Sequence, residues 1–107
     1  MVDYVRGSGN VYKDLGFENP EEELAKARLA SMIYDIISER GLTQVEAARI
    51  LEIDQPKVSA LKNGRLGGFS IERLFTFLRK LDRDIEIVVS ERPKDKPCAE
   101  ISISAAV

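Results

Sequence analysis

The chain has 107 residues, 44% of them hydrophobic, which is enough for one domain with one packed core. Its one cysteine, Cys98, and its lack of histidine exclude an intrachain disulfide, argue against a zinc site and exclude any Ser-His or Cys-His nucleophile pair. The net charge of −2 by itself argues against a nucleic-acid partner. We therefore expect a cytoplasmic protein with no cofactor, no metal and no enzymatic activity. We also expect no membrane contact, since no apolar run reaches the roughly 20 residues of a membrane span.

The N-terminal segment, residues 1–18, has no helical period and is predicted to be an irregular arm. Its glycines include Gly7, Gly9 and Gly16. The GSGN sequence at residues 7–10 favours a flexible turn over a phosphate-binding loop, because no strand precedes it and no Lys-Ser/Thr pair follows.

A long first helix is predicted from Pro20 to about Arg40. Asn19 is expected to cap it, and proline is preorganised at the first helical position. Gly41 is expected to end it. Apolar residues at helical spacing give it a buried stripe. They are Leu24, Ala27, Met32, Ile33, Ile36 and Ile37.

Two short helices are predicted between Leu42 and Gly64. Thr43 and Glu46 form the T-x-x-E pattern of a capping box, so the first of them begins after Thr43 and ends near Leu51. Asp54 is expected to cap the second, which runs to about residue 63 and tolerates proline in its first turn.

A fourth helix and a strand are predicted in the C-terminal third. Ser70 is expected to cap a helix ending near Leu81. Ile85, Ile87 and Val89 then alternate along the chain as in a half-buried strand. An isolated strand leaves its backbone unpaired, so this strand is expected to pair with the tail of its own chain or, as a dimer contact, with a second chain. The predicted domains are residues 1–18 (arm), 19–82 (helical domain) and 83–107 (strand and tail).

The two short helices have the spacing of a DNA-reading helix-turn-helix. Such a unit needs small residues where its helices cross and apolar residues facing the core. Ala47 and Ala48 are small, and the inward positions are Leu51, Ile53, Val58 and Leu61. The outward residues of the second short helix are mostly polar, which indicates a surface that reads bases.

Each outward residue type suits a DNA group. Gln55 lies at the end of the helix that enters the major groove, and its amide matches the N7 and N6 atoms of adenine. Lys57 and Ser59 are the other predicted base-reading residues. Contacts to the sugar-phosphate backbone are predicted for Thr43, Gln44, Lys62, Asn63 and Arg65.

The charge is distributed in agreement with this interpretation. Residues 41–81 carry seven Lys/Arg against four Asp/Glu, a net charge of +3. Residues 1–40 carry five against eight, and residues 82–107 carry four against six, so both flanks are acidic. Positive charge is therefore concentrated where phosphate contact is expected.

Residues 42–64, LTQVEAARILEIDQPKVSALKNG, resemble the helix-turn-helix of the lambda-repressor-like (Xre) family of bacterial and phage regulators. The resemblance implies a mainly α fold of four to five helices. It assigns a phosphate contact to Gln44 and a base contact to Gln55. The family usually carries glycine in the inter-helix turn, where this chain has Glu52, at an expected cost of about 1 kcal/mol.

The flanking sequences, GSGNVYKDLGF and GGFSIERLFTFLRKLDRDIEIVV, extend the resemblance to roughly residues 7–90 and to the HigA-like antitoxin subfamily. Two functions follow as hypotheses. The first is a repressor that binds double-stranded DNA at a palindromic operator as a homodimer. The alternative is an antitoxin that neutralises a small ribonuclease toxin and regulates its own operon.

Overall fold

The computed structural model describes residues 10–105, and in this part of the chain it forms five α-helices and no β-strand. The mainly α class is therefore confirmed. All four predicted helices form, with ends within about two residues of those expected. The glycine-containing turn expected at residues 7–10 lies almost wholly outside the described range. The helices are α1 (Val11–Asp14), α2 (Pro20–Glu39), α3 (Gln44–Leu51), α4 (Gln55–Lys62) and α5 (Ile71–Lys80).

Helix α1 lies in the segment that was expected to be irregular. It forms because the side-chain oxygen of Asn10 accepts hydrogen bonds from the backbone N–H groups of Tyr12 and Lys13, at 3.0 and 3.3 Å. The Asn10 amide also donates to the carbonyl of Pro20 at 3.0 Å, which ties α1 to the start of α2. The prediction that the Asn19 side chain caps α2 is wrong, because it makes no cap hydrogen bond.

The core lies between α2, α4 and α5, and α3 packs against α4 and α5. One stripe of α2 is buried, and of the six residues predicted for it Ile33, Ile36 and Ile37 are buried, whereas Leu24, Ala27 and Met32 are half-buried. The buried stripe also contains Ala25, Leu29 and Ala30, which were not predicted. Phe69 and Phe77 pack edge to face with ring centroids 5.8 Å apart. The largest fully buried side chains are Phe77, Ile33, Ile37, Leu51, Leu74, Leu81 and Val58.

The predicted caps set the ends of the helices around this core. The Asp54 carboxylate accepts from the Lys57 N–H at 3.2 Å, and the Ser70 hydroxyl accepts from the Arg73 N–H at 3.1 Å. Gly64 has a φ of +73°, a left-handed conformation that glycine adopts without the steric cost of a Cβ atom. These local signals therefore place both ends of α4 and the start of α5.

Residues 85–89 have no strand partner among residues 10–105, so the predicted strand and its pairing are not confirmed. Ile85 is half-buried against the core, whereas Ile87 and Val89 are exposed. Residues 100–104, in which Ile101 and Ile103 also alternate with polar residues, form no strand either, and the backbone N–H of Ile101 donates to the Glu21 carboxylate at 3.3 Å. A strand is stable only when a neighbour accepts its backbone hydrogen bonds, and these residues have none within one described chain.

Across residues 10–105, no helix combines the length and the apolar character needed to cross a membrane.

Candidate nucleic-acid interface

Helices α3 and α4 and the tight turn between them form one rigid unit. The inner side of this unit is closed by Ala47 and Val58, whose side chains are completely buried. Ala47 provides the close approach that a larger side chain would prevent. Helix α3 ends at Leu51 with Glu52 as its C-cap, and the Ile53 N–H then donates to the Ala48 carbonyl at 3.0 Å. The angle between α3 and α4 is thus fixed by packing on one side and by a hydrogen-bonded turn on the other.

Glu52 adopts the left-handed conformation that its position in the turn requires, with φ of 60° and ψ of 44°. Its carboxylate pairs with the Lys80 ammonium of α5 at 2.5 Å. The hydrogen bond from Lys80, helped by its charge, holds the pKa of Glu52 below the ordinary 4.5. Sequence reasoning identified Glu52 but missed Lys80, because the two residues are 28 positions apart.

The residues of α4 outside its buried side include Gln55, Lys57 and Ser59, and we call these three residues the reading face. Gln55 is exposed at the first position of the helix, while Lys57 and Ser59 are half-exposed. Neither Gln55 nor Gln44 makes a side-chain hydrogen bond within the described residues. The Ser59 hydroxyl accepts from the Asn63 amide at 3.4 Å, so these two predicted DNA contacts are already adjacent. All three predicted base-reading residues lie on α4, where Gln55 and Ser59 are one turn apart on the same side and Lys57 is about 200° around the helix from Gln55.

The start of α3 carries the first pair of predicted backbone contacts. The Thr43 hydroxyl accepts from the Glu46 N–H at 3.1 Å, and the Thr43 N–H donates to the Glu46 carboxylate at 2.8 Å, which completes the capping box. The backbone hydrogen bond from Thr43 is the main reason that the pKa of Glu46 is lowered. The Thr43 O–H remains able to donate to a phosphate. Gln44 follows it, half-exposed, at the first position of the helix.

The end of α4 carries the other predicted backbone contacts, Lys62, Asn63 and Arg65, and all three are exposed. The Lys62 ammonium lies 5.8 Å from the centroid of the Tyr34 ring, an interaction that orients it without neutralising its charge. Arg65 has no ion pair in the described part of the chain. Lys62 and Arg65 therefore place exposed positive charge at the C-terminal end of α4.

The acidic residues of the unit are largely occupied by internal contacts. Glu46 is held by the capping box, Asp54 caps α4 and Glu52 pairs with Lys80. None of the unit's own cations is used in these contacts. Lys57 and Lys62 therefore keep their charge available to an anionic partner, and the exposed N–H groups at the starts of α3 and α4 add partial positive charge.

Lys26 is a structural residue that sequence reasoning missed. It is 6% exposed, and its ammonium donates to the Phe69 carbonyl at 3.1 Å, with the Glu23 carboxylate 3.6 Å away. The contact fastens the loop after α4 to α2. A signal was present in the sequence, because Lys26 shares its helical stripe with Leu29 and Ile33.

The chain matches known proteins over most of its length. A family model described as a helix-turn-helix domain matches residues 11–90. A solved structure named "Putative XRE Family Transcriptional Regulator" has 49% sequence identity and a TM-score of 0.76, and the match covers 80% of this chain and 97% of that one. No curated protein matches the chain. The family match contains all five helices and continues past α5 to residue 90.

Proposed function

The chain belongs to the Xre family of helix-turn-helix regulators, and from this membership we infer that it is a DNA-binding transcription regulator that represses by occupying a palindromic operator as a homodimer. The regulator fold of its relative supports the DNA-binding part. The repressor role, the palindrome and the dimer are our proposals.

The reading face is the observation that carries this proposal. Gln55 stands exposed at the N-terminal end of α4 without an intramolecular partner, and the opposite side of that helix is buried through Val58 and Leu61. A helix held in this way presents its N-terminal end to a groove without any rearrangement. The amide of Gln55 can then pair with an adenine edge, and Lys57 and Ser59 can contact bases further along the groove.

The backbone contacts set the register of the protein on the duplex. We propose that Thr43 and Gln44 hold a phosphate on one side of the groove, and that Lys62, Asn63 and Arg65 hold phosphates on the other. Contacts of this kind carry no sequence information, but they supply most of the salt-dependent affinity.

A homodimer would bind two half-sites related by a two-fold axis. Their α4 helices would enter successive major grooves about 34 Å apart, which is one turn of DNA. Ile85, Ile87 and Val89 are the proposed dimer contacts, since they follow α5 closely and have no strand partner in the part of the chain that the structure describes. We propose no catalytic role and no cofactor.

The test is a selection of bound sequences from random duplexes. We expect enrichment of a palindrome whose half-sites are centred one helical turn apart. The matched control carries Gln55→Ala, Lys57→Ala and Ser59→Ala together, changes that leave the buried side of α4 intact, and it should enrich nothing. If the wild type also enriches nothing, at low salt as well as high, the proposed function is wrong.

A second candidate function is that of an antitoxin of the HigA-like type. Large apolar side chains are exposed at and after α1, with Leu15 at 69%, Val11 at 54% and Phe17 at 47%. The acidic first turn of α2, Glu21–Glu23, follows them. An apolar patch next to acidic residues suits a basic protein partner.

Co-expression with the neighbouring open reading frame tests this alternative. A small basic protein should co-purify with the wild type, and Leu15→Ser should release it. Failure to recover such a partner would leave the regulator function without the antitoxin role.

A further inference from the structure

The segment after α5 is extended, apolar and exposed. Ile87, Val88 and Val89 have exposed fractions of 70, 77 and 91%. Ile85 begins the same face and is already half-buried against the core. In an extended segment Ile87 and Val89 lie on the same face as Ile85 and continue a core face, where an additional apolar layer would cover them, whereas Val88 lies on the other face.

A second copy of this chain is the occupant that the sequence of the segment favours. An antiparallel strand pair related by a two-fold axis places each residue opposite one fixed residue of the other copy, and one residue lies opposite itself on the axis. Each choice of that central residue fixes every cross-strand pair, so the registers can be compared by their side chains.

The register centred on Ile87 is the most complementary of these. It places Ile85 opposite Val89 of the partner subunit on the apolar face, and it places Arg83 opposite Glu91 of the partner subunit at both ends. In the single chain neither Arg83 nor Glu91 has an ion pair among the described residues. On that face every apolar residue meets an apolar residue and every charge meets its opposite, while on the other face Glu86 lies opposite Val88 of the partner subunit.

The neighbouring registers are worse. A register centred on Glu86 places two identical carboxylates opposite each other and Arg83 opposite an apolar Val89. A register centred on Val88 places Asp84 opposite Arg92, but the Arg92 guanidinium already donates to the carbonyls of Pro93 and Lys96. The same register separates Arg83 from Glu91 and places Ile85 opposite a Glu91 carboxylate. Like charges directly opposite each other destabilise a strand pair.

The hydrogen bonding is consistent with the Ile87 register. The Arg83 N–H already donates to the Leu78 carbonyl at 3.0 Å, so it is not available to a strand ladder. Odd-numbered residues would then form the non-hydrogen-bonded pairs, whose Cα atoms lie about 4.5 Å apart, and even-numbered residues such as Glu86 and Val88 would exchange the ladder bonds.

We propose that two copies of the chain pair residues 83–91 as antiparallel strands about a two-fold axis through Ile87, with Arg83 of each copy facing Glu91 of the other. This inference rests on the proposed homodimer and specifies its geometry. The axis of the strand pair is also the axis that relates the two reading faces, so it would coincide with the dyad of a palindromic operator.

Disulfide trapping in a Cys98→Ser background tests the register. Ile87→Cys should cross-link rapidly, because its two thiols would face each other at about 4.5 Å between Cα atoms. Glu86→Cys and Val88→Cys are matched controls. Each alone should cross-link slowly, because its two copies lie about 8 Å apart, but a mixture of the two variants should form the heterodimeric disulfide.

Charge exchange is the second, independent test, and it does not rely on thiols. Arg83→Glu or Glu91→Arg alone should weaken dimerisation by roughly 2- to 30-fold, because two like-charged pairs replace two ion pairs. The double variant Arg83→Glu/Glu91→Arg should recover the wild-type dissociation constant. Sedimentation equilibrium measures all four proteins.

The outcomes separate this inference from the proposed function. Cross-linking that peaks at position 86 or 88, or a double variant as weak as the single ones, overturns the register while leaving the dimer intact. A wild type that is monomeric at operator-binding concentrations overturns the proposed dimer as well. Operator binding by such a monomer would preserve the DNA-binding function alone.

Discussion

At the residue scale, Gln55 differs from most exposed polar residues because its position is fixed while its amide is unoccupied. Helix α4 is anchored beneath it by Val58, and the Asp54 cap holds its first turn. Little conformational entropy would be lost when this side chain meets a base. Ser59, by contrast, would have to exchange its contact with Asn63 for a contact with DNA.

We expect Gln55→Ala to weaken operator binding by about 1–3 kcal/mol and to relax specificity at one base pair of each half-site. The reason is the loss of a bidentate amide contact that only one base satisfies. Binding to a panel of singly substituted operators measures this. Equal weakening on every duplex would assign Gln55 to the DNA backbone instead.

Two opposing effects of Glu52 act on the stability of the folded chain. Its left-handed backbone costs about 1 kcal/mol relative to glycine. The ion pair with Lys80 offsets part of this cost, although both groups are partly in solvent and such pairs contribute little.

Glu52→Gly should therefore stabilise the chain, and the gain should be larger in a Lys80→Ala background than in the wild type. We expect about 1 kcal/mol in the former, because no ion pair is then lost. Urea unfolding of the four proteins in this cycle gives both values. A loss of stability in the Lys80→Ala background would show that the left-handed turn carries no strain.

At the element scale, the helices are held by their ends as much as by their faces. The capping box of α3 makes its start sensitive to pH, because the pKa of Glu46 is lowered in the folded chain by the hydrogen bonds with Thr43. A carboxyl group with a lowered pKa contributes stability that is present above its unfolded pKa, near 4.5, and is lost as the pH falls through its folded pKa.

Glu46→Gln should remove this part of the acid sensitivity. The stability difference between wild type and variant should be constant above about pH 5 and should shrink below pH 4.5. Thermal unfolding between pH 3 and pH 7 measures it. Glu72→Gln, in the first turn of α5, is the matched control, because no hydrogen bond to its carboxylate occurs within residues 10–105. An identical pH profile for both variants would contradict the prediction.

The connection between α2 and the loop after α4 depends on one buried cation. Lys26→Met keeps most of the buried side-chain volume but leaves the Phe69 carbonyl without its donor, so we expect a loss of about 1–3 kcal/mol. Arg28→Met on the exposed side of the same helix should change stability by less than about 0.5 kcal/mol. Equal effects in denaturant unfolding would mean that the buried hydrogen bond contributes nothing.

At the scale of the whole molecule, an acidic chain carries a net charge of +3 in residues 41–81, the segment that contains the helix-turn-helix. Outside this segment, acidic residues lie on α2 and among the residues that follow α5. Within the helix-turn-helix, the carboxylates of Glu46 and Glu52 are engaged in internal contacts. The distribution of charge, and not its sum, therefore governs attraction to a polyanion.

Operator affinity should fall steeply with salt, and the slope should report the phosphate contacts. Lys62→Ala and Arg65→Ala should each reduce the magnitude of the slope of log K against log salt by about 1, whereas Gln55→Ala should leave it unchanged. Lys94→Ala in the exposed tail is the control. An unchanged slope in both cation variants would remove these residues from the backbone contacts.

The sequence by itself determined the four main helices and the identity of the reading unit. Their signals are local: Thr43 with Glu46, Asp54 and Ser70 each bind backbone groups within three residues, and apolar spacing selects the buried face. Local reasoning failed at Asn19, whose side chain does not cap α2, and at residues 11–14, where α1 forms in the segment expected to be irregular. The start of α2 is instead tied to Asn10 by the hydrogen bond from the Asn10 amide to the Pro20 carbonyl, which spans ten positions.

Only the tertiary structure decided how the reading unit is supported. Three of its supporting hydrogen bonds join distant parts of the sequence. They link Lys26 to Phe69, Arg40 to Leu81 and Lys80 to Glu52, with sequence separations of 43, 41 and 28 positions. No short pattern specifies such a contact, because it exists only after packing has brought distant segments together. Residues 85–89 show the same limit one level higher, since a strand acquires its structure from a neighbour that a single chain does not supply.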